Sequence, residues 1–529
     1  PRDRRDQTLG FPGVAAPASL AYADAATVSG DMAVMSDTVV ETSRHAVHSG
    51  TPAYGAWTLT AVAAITVARL SWLSVQSAGL YPDEAQYWFW AQHFALGYYS
   101  KPPLVAWLIA LTTTGFGDGE FAVRMSAPLL HGVAAGFVYA IGTRLYDRRI
   151  GFWSALAYAS LPAVSLSSLL ISTDAALMPC WAAALYCFIR GREDGDWRWW
   201  LATGAAIGLG LLAKYAMAYW LISAFCFVLL RKDERRHLRG LILALAVGLL
   251  IVAPNLWWNA NHGFVSILHV RDNAQLGGSL FHPAAFVKFV ISQFGVFGPI
   301  MLAGLIVLCI RPLGERARIL GWFTWPTLLI ALVVSLLSRA EPNWSAPAYV
   351  SAVVLVTGTA LTSGWRRTLV ASIALHLAAA VAVFGGSEIL AVSGIAVPAQ
   401  YDPLHRLRGW RTLGSQVSEA LTANPGLKLM ADDRELLAAL IYYVHPHPFD
   451  AIEWEPVPGI TDQWRLENSE RNHRREDFLA VTDHGLFDQM RPQFAELTLL
   501  KTIAIHTGPG GGMTYTLYIA RGYRGPAQP

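Results

Sequence analysis

Two adjacent carboxylates in an aromatic segment are the first residues whose types and spacing could support chemistry. Asp83 and Glu84 follow Pro82 directly and open the segment 81–90, which also contains Tyr87. A carboxylate can take the proton from an incoming hydroxyl group and so act as a general base. An acidic pair at the start of a helix can equally be a cap that complements the helix dipole. The pair alone leaves catalysis and capping as equal alternatives.

Further polar residues occur in the short segments that separate apolar stretches of the chain. These candidates are Lys101, Asp174, Lys214, Arg271, Arg339 and Glu341, with Tyr98, Asn343 and Trp344 close to them in sequence. Each has an ordinary structural explanation, because Lys101 could be an interfacial side chain, Asp174 a helix cap and Arg271 a solvated loop residue. Lys214 could mark a helix end. An Asp so close to an apolar stretch is nevertheless costly unless it is paired or functional.

Composition identifies the elements that must position these residues. Of 529 residues, 54% are hydrophobic and only 15% are charged, and the mean hydropathy is +0.36. Soluble proteins have about 25% charged residues, so the balance predicts a polytopic α-helical membrane protein. A net charge of +3 excludes a nucleic-acid partner, and the four cysteines lie in apolar stretches without zinc or disulfide spacing.

The apolar stretches predict about eleven transmembrane helices within a membrane domain covering residues 56–392, since about 20 apolar residues are needed to cross a bilayer. The predicted spans are 56–77, 121–145, 151–171, 175–191, 199–213, 216–230, 240–256, 285–310, 319–338, 345–363 and 368–392. Residues 199–230 could also be one long helix, and 103–116 is too short to span. The polar segment 1–50 predicts a disordered tail, with a translation start expected near Met35.

Charge asymmetry predicts the orientation of these spans. Alternate loops contain most of the Lys and Arg residues, whereas the other set contains Lys101, Lys214, Arg271 and Arg339. Basic loops lie in the cytoplasm, so eleven spans place the N-terminus inside and the C-terminus outside. The candidate residues then meet on the outer, periplasmic side of a bacterial inner membrane.

Residues 400–529 are polar and mixed, and predict a small periplasmic α/β domain. Strands are expected at 427–431, 478–482 and 514–520, and helices at 434–444 and 486–497.

Outside this domain, the convergence of carboxylates and cations on one face suits transfer from a lipid-linked phosphate donor. A carboxylate would activate the acceptor and cations would stabilise the phosphate left behind.

These motifs resemble GT-C glycosyltransferases of the protein-O-mannosyltransferase type, in particular the bacterial branch of aminoarabinose transferases. The likeness is carried by the first-loop motif at 81–90, Gly-Tyr-Tyr-Ser-Lys-Pro-Pro at 97–103 and Ser-Thr-Asp-Ala-Ala at 172–176. Gly-Leu-Gly-Leu-Leu-Ala-Lys at 208–214 and Glu-Pro-Asn-Trp-Ser-Ala-Pro at 341–347 add weaker support. The resemblance covers about residues 56–360.

The resemblance implies a polyprenyl-phosphate-sugar donor, an outward-facing site and an inverting single displacement. It implies that Asp83 is the catalytic carboxylate with Glu84 beside it, that Asp174 is a second acid, and that Lys101 and Lys214 bind the donor phosphate. Arg271 and Arg339 are candidate phosphate ligands from their positions alone. Tyr87, Tyr98, Glu341, Asn343 and Trp344 are expected to line the substrate cavity.

The substrates stay open at this point. The acceptor is expected to be an envelope lipid such as lipid A, another glycan or a protein, and the sugar is undefined. No metal or other cofactor is indicated, although a divalent ion near Asp83 and Asp174 is compatible with the residues. The alternative from another class is a transporter or lipid flippase, for which polar residues at mid-membrane depth and internal repeats would be expected.

Overall fold

The computed structural model describes most of the chain after residue 52. The described residues are 53–273, 281–386, 389–390, 393–394, 397–402, 404–454, 460, 462–467, 473, 475–485, 487–508 and 510–525. The predicted tail at 1–50 and the start near Met35 lie outside them.

Apolar stretches and short polar interruptions produce a succession of helices in the first three quarters of the chain. In order they are α1 (Tyr54–Val75), α2 (Pro82–Gln92), α3 (Leu104–Phe116), α4 (Glu120–Arg124), α5 (Ser126–Leu145), α6 (Arg148–Ser160), α7 (Pro162–Ser167), α8 (Thr173–Asp194), α9 (Trp197–Ala213), α10 (Ala218–Leu230), α11 (Leu238–Asn261), α12 (Val265–Asn273), α13 (Pro283–Val296), α14 (Pro299–Cys309), α15 (Glu315–Leu337), α16 (Ala348–Thr362) and α17 (Arg366–Ala380). Proline at the first position of α2, α7, α13 and α14 fits their starts, because that position needs no amide donor.

Five helical segments in the described chain are long and apolar enough to cross a membrane. They are Tyr54–Val75, Glu120–Leu145, Lys232–Asn261, Glu315–Leu337 and Arg366–Val383. This number is smaller than the eleven expected, because several predicted spans are short helices such as α9 with 17 residues and α16 with 15. Counting the bent pair α13–α14 as one span gives six.

Breaks in the chain modify two of the predicted spans. The predicted span 285–310 is wrong as a single helix, because α13 and α14 meet at 118°. Gly298, with φ of +87°, adopts a left-handed conformation there that favours glycine. The segment 151–171 divides into α6 and α7 at Pro162. The two helices predicted at 199–213 and 216–230 are confirmed as α9 and α10, on either side of Lys214.

The C-terminal sheet domain, whose described residues form five strands, follows the helices. Its elements are α18 (Trp410–Ala423), β1 (Lys428–Ala431), α19 (Arg434–Tyr443), β2 (Ile452–Glu453), α20 (Gln463–Glu467), β3 (Phe478–Thr482), α21 (Phe487–Met490), β4 (Glu496–Gly508) and β5 (Gly511–Arg521). The strand order is β2-β1-β3-β5-β4. β1 pairs in parallel with β2 and β3, while β5 pairs antiparallel with β3 and β4. The sheet is therefore mixed, as expected of an α/β domain.

Most of the elements predicted for this domain are present, but the helix expected at 486–497 is wrong. Only α21 and a single 3₁₀ turn form there, and β4 begins at Glu496. Pro492 lies in that turn and has no amide hydrogen for helix continuation. The chain then forms the long hairpin of β4 and β5, with cross-strand pairs from Glu496↔Arg521 to Gly508↔Gly511.

Helix α2 packs against the C-terminal sheet domain. Its buried aromatic residues share one hydrophobic cluster with α18, α19 and the sheet. Trp88 contacts Tyr442 edge-on with ring centroids 4.9 Å apart, and Phe89 stacks on Trp464 at 5.2 Å. The aromatic residues of the first loop are therefore core residues between two parts of the protein, and they hold the start of α2 beside α19.

Candidate active site

A polar cavity of about 570 Å³ lies where α2, α8 and the start of α19 meet. Nine residues singled out from the sequence line it: Asp83, Tyr87, Lys101, Asp174, Lys214, Arg339, Glu341, Asn343 and Trp344. They come from five separate segments of the chain, so the fold brings together residues that are far apart in sequence. The chemistry of this cavity depends on how its charges are paired.

Asp83 and Glu84 have different environments although they are neighbours. Successive residues on a helix point in directions about 100° apart, so both carboxylates cannot face the cavity. Asp83 lines the cavity and accepts a hydrogen bond from Arg434 Nη1 at 2.9 Å. Glu84 is only 1% exposed and points into the protein. The sequence could not distinguish the two residues, but the helix geometry does.

Glu84 forms a buried ion pair with Arg124. The guanidinium donates to both carboxylate oxygens at 2.6–3.1 Å, and Arg124 is also 1% exposed. The backbone amides of Tyr81 and Ile171 each donate to Glu84 at 2.9 Å. Its oxygens are thus occupied by protein donors, and its geometry is that of a residue that fixes the segments at Tyr81 and Ile171 relative to each other.

Asp174 is paired through both of its oxygens. Lys214 Nζ donates to Oδ1 at 2.8 Å, and Asn343 Nδ2 donates to Oδ2 at 2.6 Å. Asp174 lies in the first turn of α8, whose N-cap is Ser172. Lys214 occupies the break between α9 and α10, and Asn343 lies in a 3₁₀ turn at Pro342–Ser345. Asp174 therefore holds three segments together at the cavity wall.

Lys101 carries the unpaired positive charge of the cavity. Among the described residues no carboxylate lies within ion-pair distance of its ammonium group, although Asp83 and Asp174 exert a weaker attraction. The pKa of Lys101 lies below its ordinary value, first because of burial and then because of the like charge of Lys214. An anion bound beside Lys101 would relieve both effects.

Arg339 and Glu341 form the exposed rim of the cavity. Their side chains pair at 3.0 Å, with 71% and 50% exposure. Trp344 and Tyr87 line the cavity as aromatic walls. Exposed ion pairs of this kind contribute little stability, so the pair is free to exchange partners with a charged ligand.

Three of the residues singled out from the sequence are outside the cavity lining. Besides Glu84, these are Tyr98 and Arg271. Tyr98 stacks on Trp90 at 4.6 Å and donates to the Trp90 carbonyl at 2.9 Å, so it supports the loop before Lys101. Arg271 is 72% exposed and pairs with Asp272 beside it. The sequence predicted a loop here, whereas Arg271 lies in the last turn of α12, and the polar residues around it were the signal that it is solvated.

Several lining residues were missed from the sequence. They are Gln86, Tyr99, Ser100, Ser172, Thr173, His269, Arg434 and Asp462. Most lie beside a residue that was predicted, and could have been found from that proximity. Arg434 and Asp462 come from the C-terminal sheet domain, and only the position of Arg434 after the first strand of the sheet was a signal, because ligand sites favour the carboxyl ends of parallel strands.

An apolar groove of about 380 Å³ adjoins the polar cavity. Ser172, Asp174 and Asn343 line both spaces, and the rest of the groove is mainly apolar, including Leu161 and Leu166. A ligand with a charged head and a hydrocarbon tail would fit this arrangement, with the head in the polar cavity.

Within the described residues, one group of side chains has ligand atoms close enough to hold a metal ion. Asp432, Asp433, Asp483 and His484 have ligand atoms within 4.8 Å of one another. They directly follow the carboxyl ends of the neighbouring strands β1 and β3, and they do not line the polar cavity. His484 already pairs with Asp483, so a protonated histidine can balance part of this negative charge.

The positions of Glu84 and Arg124 lead to a stability prediction. Glu84→Ala should destabilise the protein by about 3–5 kcal/mol, because it leaves the Arg124 charge buried without a partner. Denaturant unfolding of the detergent-solubilised protein measures this loss.

Glu193→Ala is the matched control. The Glu193 side chain is 34% exposed, and the substitution breaks its ion pair with Arg144. Its cost should be about 0–1 kcal/mol. If Glu84→Ala unfolds like the unmodified protein while losing activity, Glu84 acts in the chemistry and the positioning role is wrong.

The sequence profile of the dolichyl-phosphate-mannose-protein mannosyltransferase family, PMT_2, matches residues 100–258. The lipid A galacturonosyltransferase RgtD of Rhizobium johnstonii is 30% identical over 391 residues, which is 72% of this chain and 81% of that protein. An undecaprenyl phosphate-alpha-4-amino-4-deoxy-L-arabinose arabinosyl transferase of Sodalis glossinidius is 26% identical over 60% of this chain and 62% of that protein.

A solved structure supports the same fold. The crystal structure of ArnT from Cupriavidus metallidurans bound to undecaprenyl phosphate matches with a TM-score of 0.61 at 16% identity. The match covers 88% of this chain and 98% of that chain, so it extends across the helices and into the C-terminal sheet domain.

Proposed function

This chain belongs to the PMT_2 family of GT-C glycosyltransferases, and we propose that it transfers galacturonic acid from a polyprenyl phosphate to lipid A or its core glycan. Its family makes it an integral-membrane glycosyltransferase that uses polyprenyl-phosphate sugar donors. A transporter or flippase is thereby excluded as the principal function. The sugar, the acceptor and the roles of individual residues are the proposal.

The charge pairing in the cavity favours an acidic sugar. Each carboxylate that lines the cavity has a cationic partner: Asp83 with Arg434, Asp174 with Lys214, Glu341 with Arg339 and Asp462 with Arg465. The ammonium group of an aminoarabinose would need an unpaired carboxylate. A galacturonate adds a carboxylate instead, which suits a cavity where Lys101 is the surplus charge. The match to the galacturonosyltransferase RgtD also covers 81% of that protein, whereas the match to the arabinosyl transferase of Sodalis glossinidius covers 62%.

In the proposed mechanism Asp83 is the general base. An acceptor hydroxyl approaches the anomeric carbon on the side opposite the phosphate, and its proton passes to Asp83 as the new C–O bond forms. The bond between the anomeric carbon and the phosphate oxygen breaks at the same time, which inverts the configuration. Lys101, with Lys214 near it, stabilises the departing polyprenyl phosphate. Asp174 keeps Lys214 in position.

The donor lipid is proposed to occupy the apolar groove beside the cavity. The shared residues Ser172, Asp174 and Asn343 mark the point where a phosphate would meet its hydrocarbon chain. Lipid tails stabilise such complexes in proportion to the apolar area they cover. The phosphate would then lie at the depth of Lys101 and Lys214.

The proposed orientation has eleven spans, the N-terminus in the cytoplasm and the sheet domain, residues 400–529, in the periplasm of an inner membrane. In support, the break at Lys214 divides residues 199–230 into two helices, as this count requires. The membrane region proposed is 56–392.

Mass spectrometry of lipid A and core glycan tests the transfer reaction. Purified protein with a polyprenyl-phosphate-galacturonate donor should add one hexuronic acid to the acceptor. The same acceptor with an aminoarabinose donor is the matched comparison. Addition of aminoarabinose without galacturonate would contradict the sugar assignment, and the absence of product on lipid A and core glycan alike would contradict the acceptor.

Removing the carboxylate of Asp83 tests the base. Asp83→Asn should lower kcat by about 10²–10⁴-fold, because general base catalysis supplies a factor of that size. Lys101→Ala should mainly weaken the use of the donor, seen as a higher donor KM.

The control is Asp272→Asn, which changes an exposed carboxylate outside the cavity and should leave both constants unchanged. Near-normal turnover by Asp83→Asn would remove the base assignment, and an unchanged donor KM in Lys101→Ala would remove the phosphate role.

Reporter fusions test the orientation. Alkaline phosphatase fused after the last residue should be active, because this enzyme folds only outside the cytoplasm, while a fusion in the basic loop 231–239 should be inactive. The reverse pattern would place the candidate active site in the cytoplasm and contradict the proposed topology.

A further inference from the structure

Arg434 occupies an unusual place for a positive charge. It is the first residue of α19, directly after the N-cap Asp433, whose Oδ1 accepts from the backbone amides of Glu435 and Leu436. The positive end of the helix dipole disfavours a cation there. An arginine in the first turn therefore requires a compensating partner, and the structure provides it in another part of the chain.

Arg434 has two partners on α2 and one on its own helix, where its Nη2 donates to Glu435 Oε1 at 3.4 Å. Its Nη1 donates to Asp83 Oδ1 at 2.9 Å and to Gln86 Oε1 at 2.5 Å. Asp83 and Gln86 are three residues apart and so occupy one face of the helix. Gln86 is 2% exposed, so the Arg434 guanidinium is held by a buried side chain as well as by the Asp83 carboxylate. Within the described residues Asp83 Oδ2 receives no hydrogen bond and is available to accept a proton.

The backbone that carries Arg434 is itself fixed against the helical region. Tyr443 accepts a hydrogen bond from the Leu80 amide at 2.6 Å and donates to Glu120 at 2.6 Å. Tyr442 donates to the Asp118 carbonyl at 2.6 Å. These contacts connect the last turn of α19 to Leu80, just before α2, and to residues 118–120, just after α3. A displacement of α19 would therefore move the guanidinium relative to Asp83.

We propose that Arg434 is a positioning residue for Asp83, contributed to the active site by the C-terminal sheet domain. It holds Oδ1 and thereby fixes the carboxylate with Oδ2 as the oxygen that receives the acceptor proton. This inference rests on the proposed function of Asp83 as general base. A competing role would be direct binding of the donor phosphate or sugar carboxylate, which predicts different kinetics.

Steady-state kinetics of Arg434→Ala separate these roles. Loss of positioning should lower kcat by about 10²-fold with an unchanged donor KM, because misplacement of a reacting group by about 1 Å has an effect of this size. Added methylguanidinium should restore part of the turnover. Arg434→Lys should be intermediate, since it keeps the charge but lacks the planar fork of donors.

Arg411→Ala is the matched control. Arg411 also joins the sheet domain to the helical region, through Glu120 and the Ser77 carbonyl, but does not line the cavity. It should leave kcat and donor KM unchanged. A raised donor KM with normal kcat in Arg434→Ala would identify a substrate ligand and overturn the proposal. Equal losses in Arg411→Ala and Arg434→Ala, or no rescue by methylguanidinium, would also overturn it.

Asp83→Asn in the same assay distinguishes this failure from failure of the proposed function. If Asp83→Asn is inactive and Arg434→Ala is normal, only the positioning role is wrong. If Asp83→Asn retains turnover, the base assignment is wrong and the inference about Arg434 is overturned with it.

Discussion

The arrangement of the active site depends on one ion pair that water does not reach. Glu84 and Arg124 are both 1% exposed, and burial of two charges is costly unless every oxygen and donor finds a partner. Here Arg124 also donates to the Ala78 and Gly79 carbonyls, and Glu84 also accepts from Tyr81 and Ile171. The pair is thus a junction of several backbone segments, and it is held by geometry that few other side chains could reproduce.

This junction determines where the two candidate carboxylates of the cavity lie. Asp83 comes one residue before Glu84, and Asp174 comes three residues after Ile171. Because Glu84 accepts from the Ile171 amide at 2.9 Å, the start of α2 and the segment before α8 have a fixed separation. The two cavity carboxylates consequently face one space although they are 91 residues apart in the sequence. Precise placement of reacting groups is what makes general base catalysis effective.

The C-terminal sheet domain completes this site. The hydrophobic cluster that contains α2 continues into α18, α19 and the sheet. Residues of the sheet domain therefore pack against the buried aromatic side chains of α2. Tyr99 adds a polar contact, since its amide donates to Gln463 Oε1 at 2.6 Å. The domain therefore contributes to the geometry of the cavity as well as to its lining.

Sequence reasoning predicted the residues whose signals are local. Asp83, Lys101, Asp174 and Lys214 were found because a charge in a short loop between apolar stretches is rare and costly. Glu84 was grouped with Asp83 because spacing alone cannot show which of two adjacent side chains faces inward.

The remaining differences come from contacts that are distant in sequence or from single residues that stop a helix. Arg434 lies 351 positions after Asp83, and no periodicity connects them. The bend at Gly298 and the loss of helix after Pro492 are local backbone effects within otherwise suitable apolar or polar patterns. Helices and strands were therefore easier to predict than the residues at which they break. Likewise, the side chains that line the cavity were easier to predict than the residues that pair with them.

The charge change during the proposed reaction explains why two lysines are placed together. A polyprenyl-phosphate sugar is a phosphodiester with one negative charge, which Lys101 alone can balance. Loss of the sugar leaves a monoester whose second oxygen ionises near neutral pH, with a pKa of about 6. Lys214 acts on Lys101 as a like charge, and its own carboxylate partner Asp174 is also bound by Asn343. In the proposed reaction the second lysine would therefore stabilise charge that develops only as the bond breaks, and such differential stabilisation accelerates a reaction more than tight binding of the donor would.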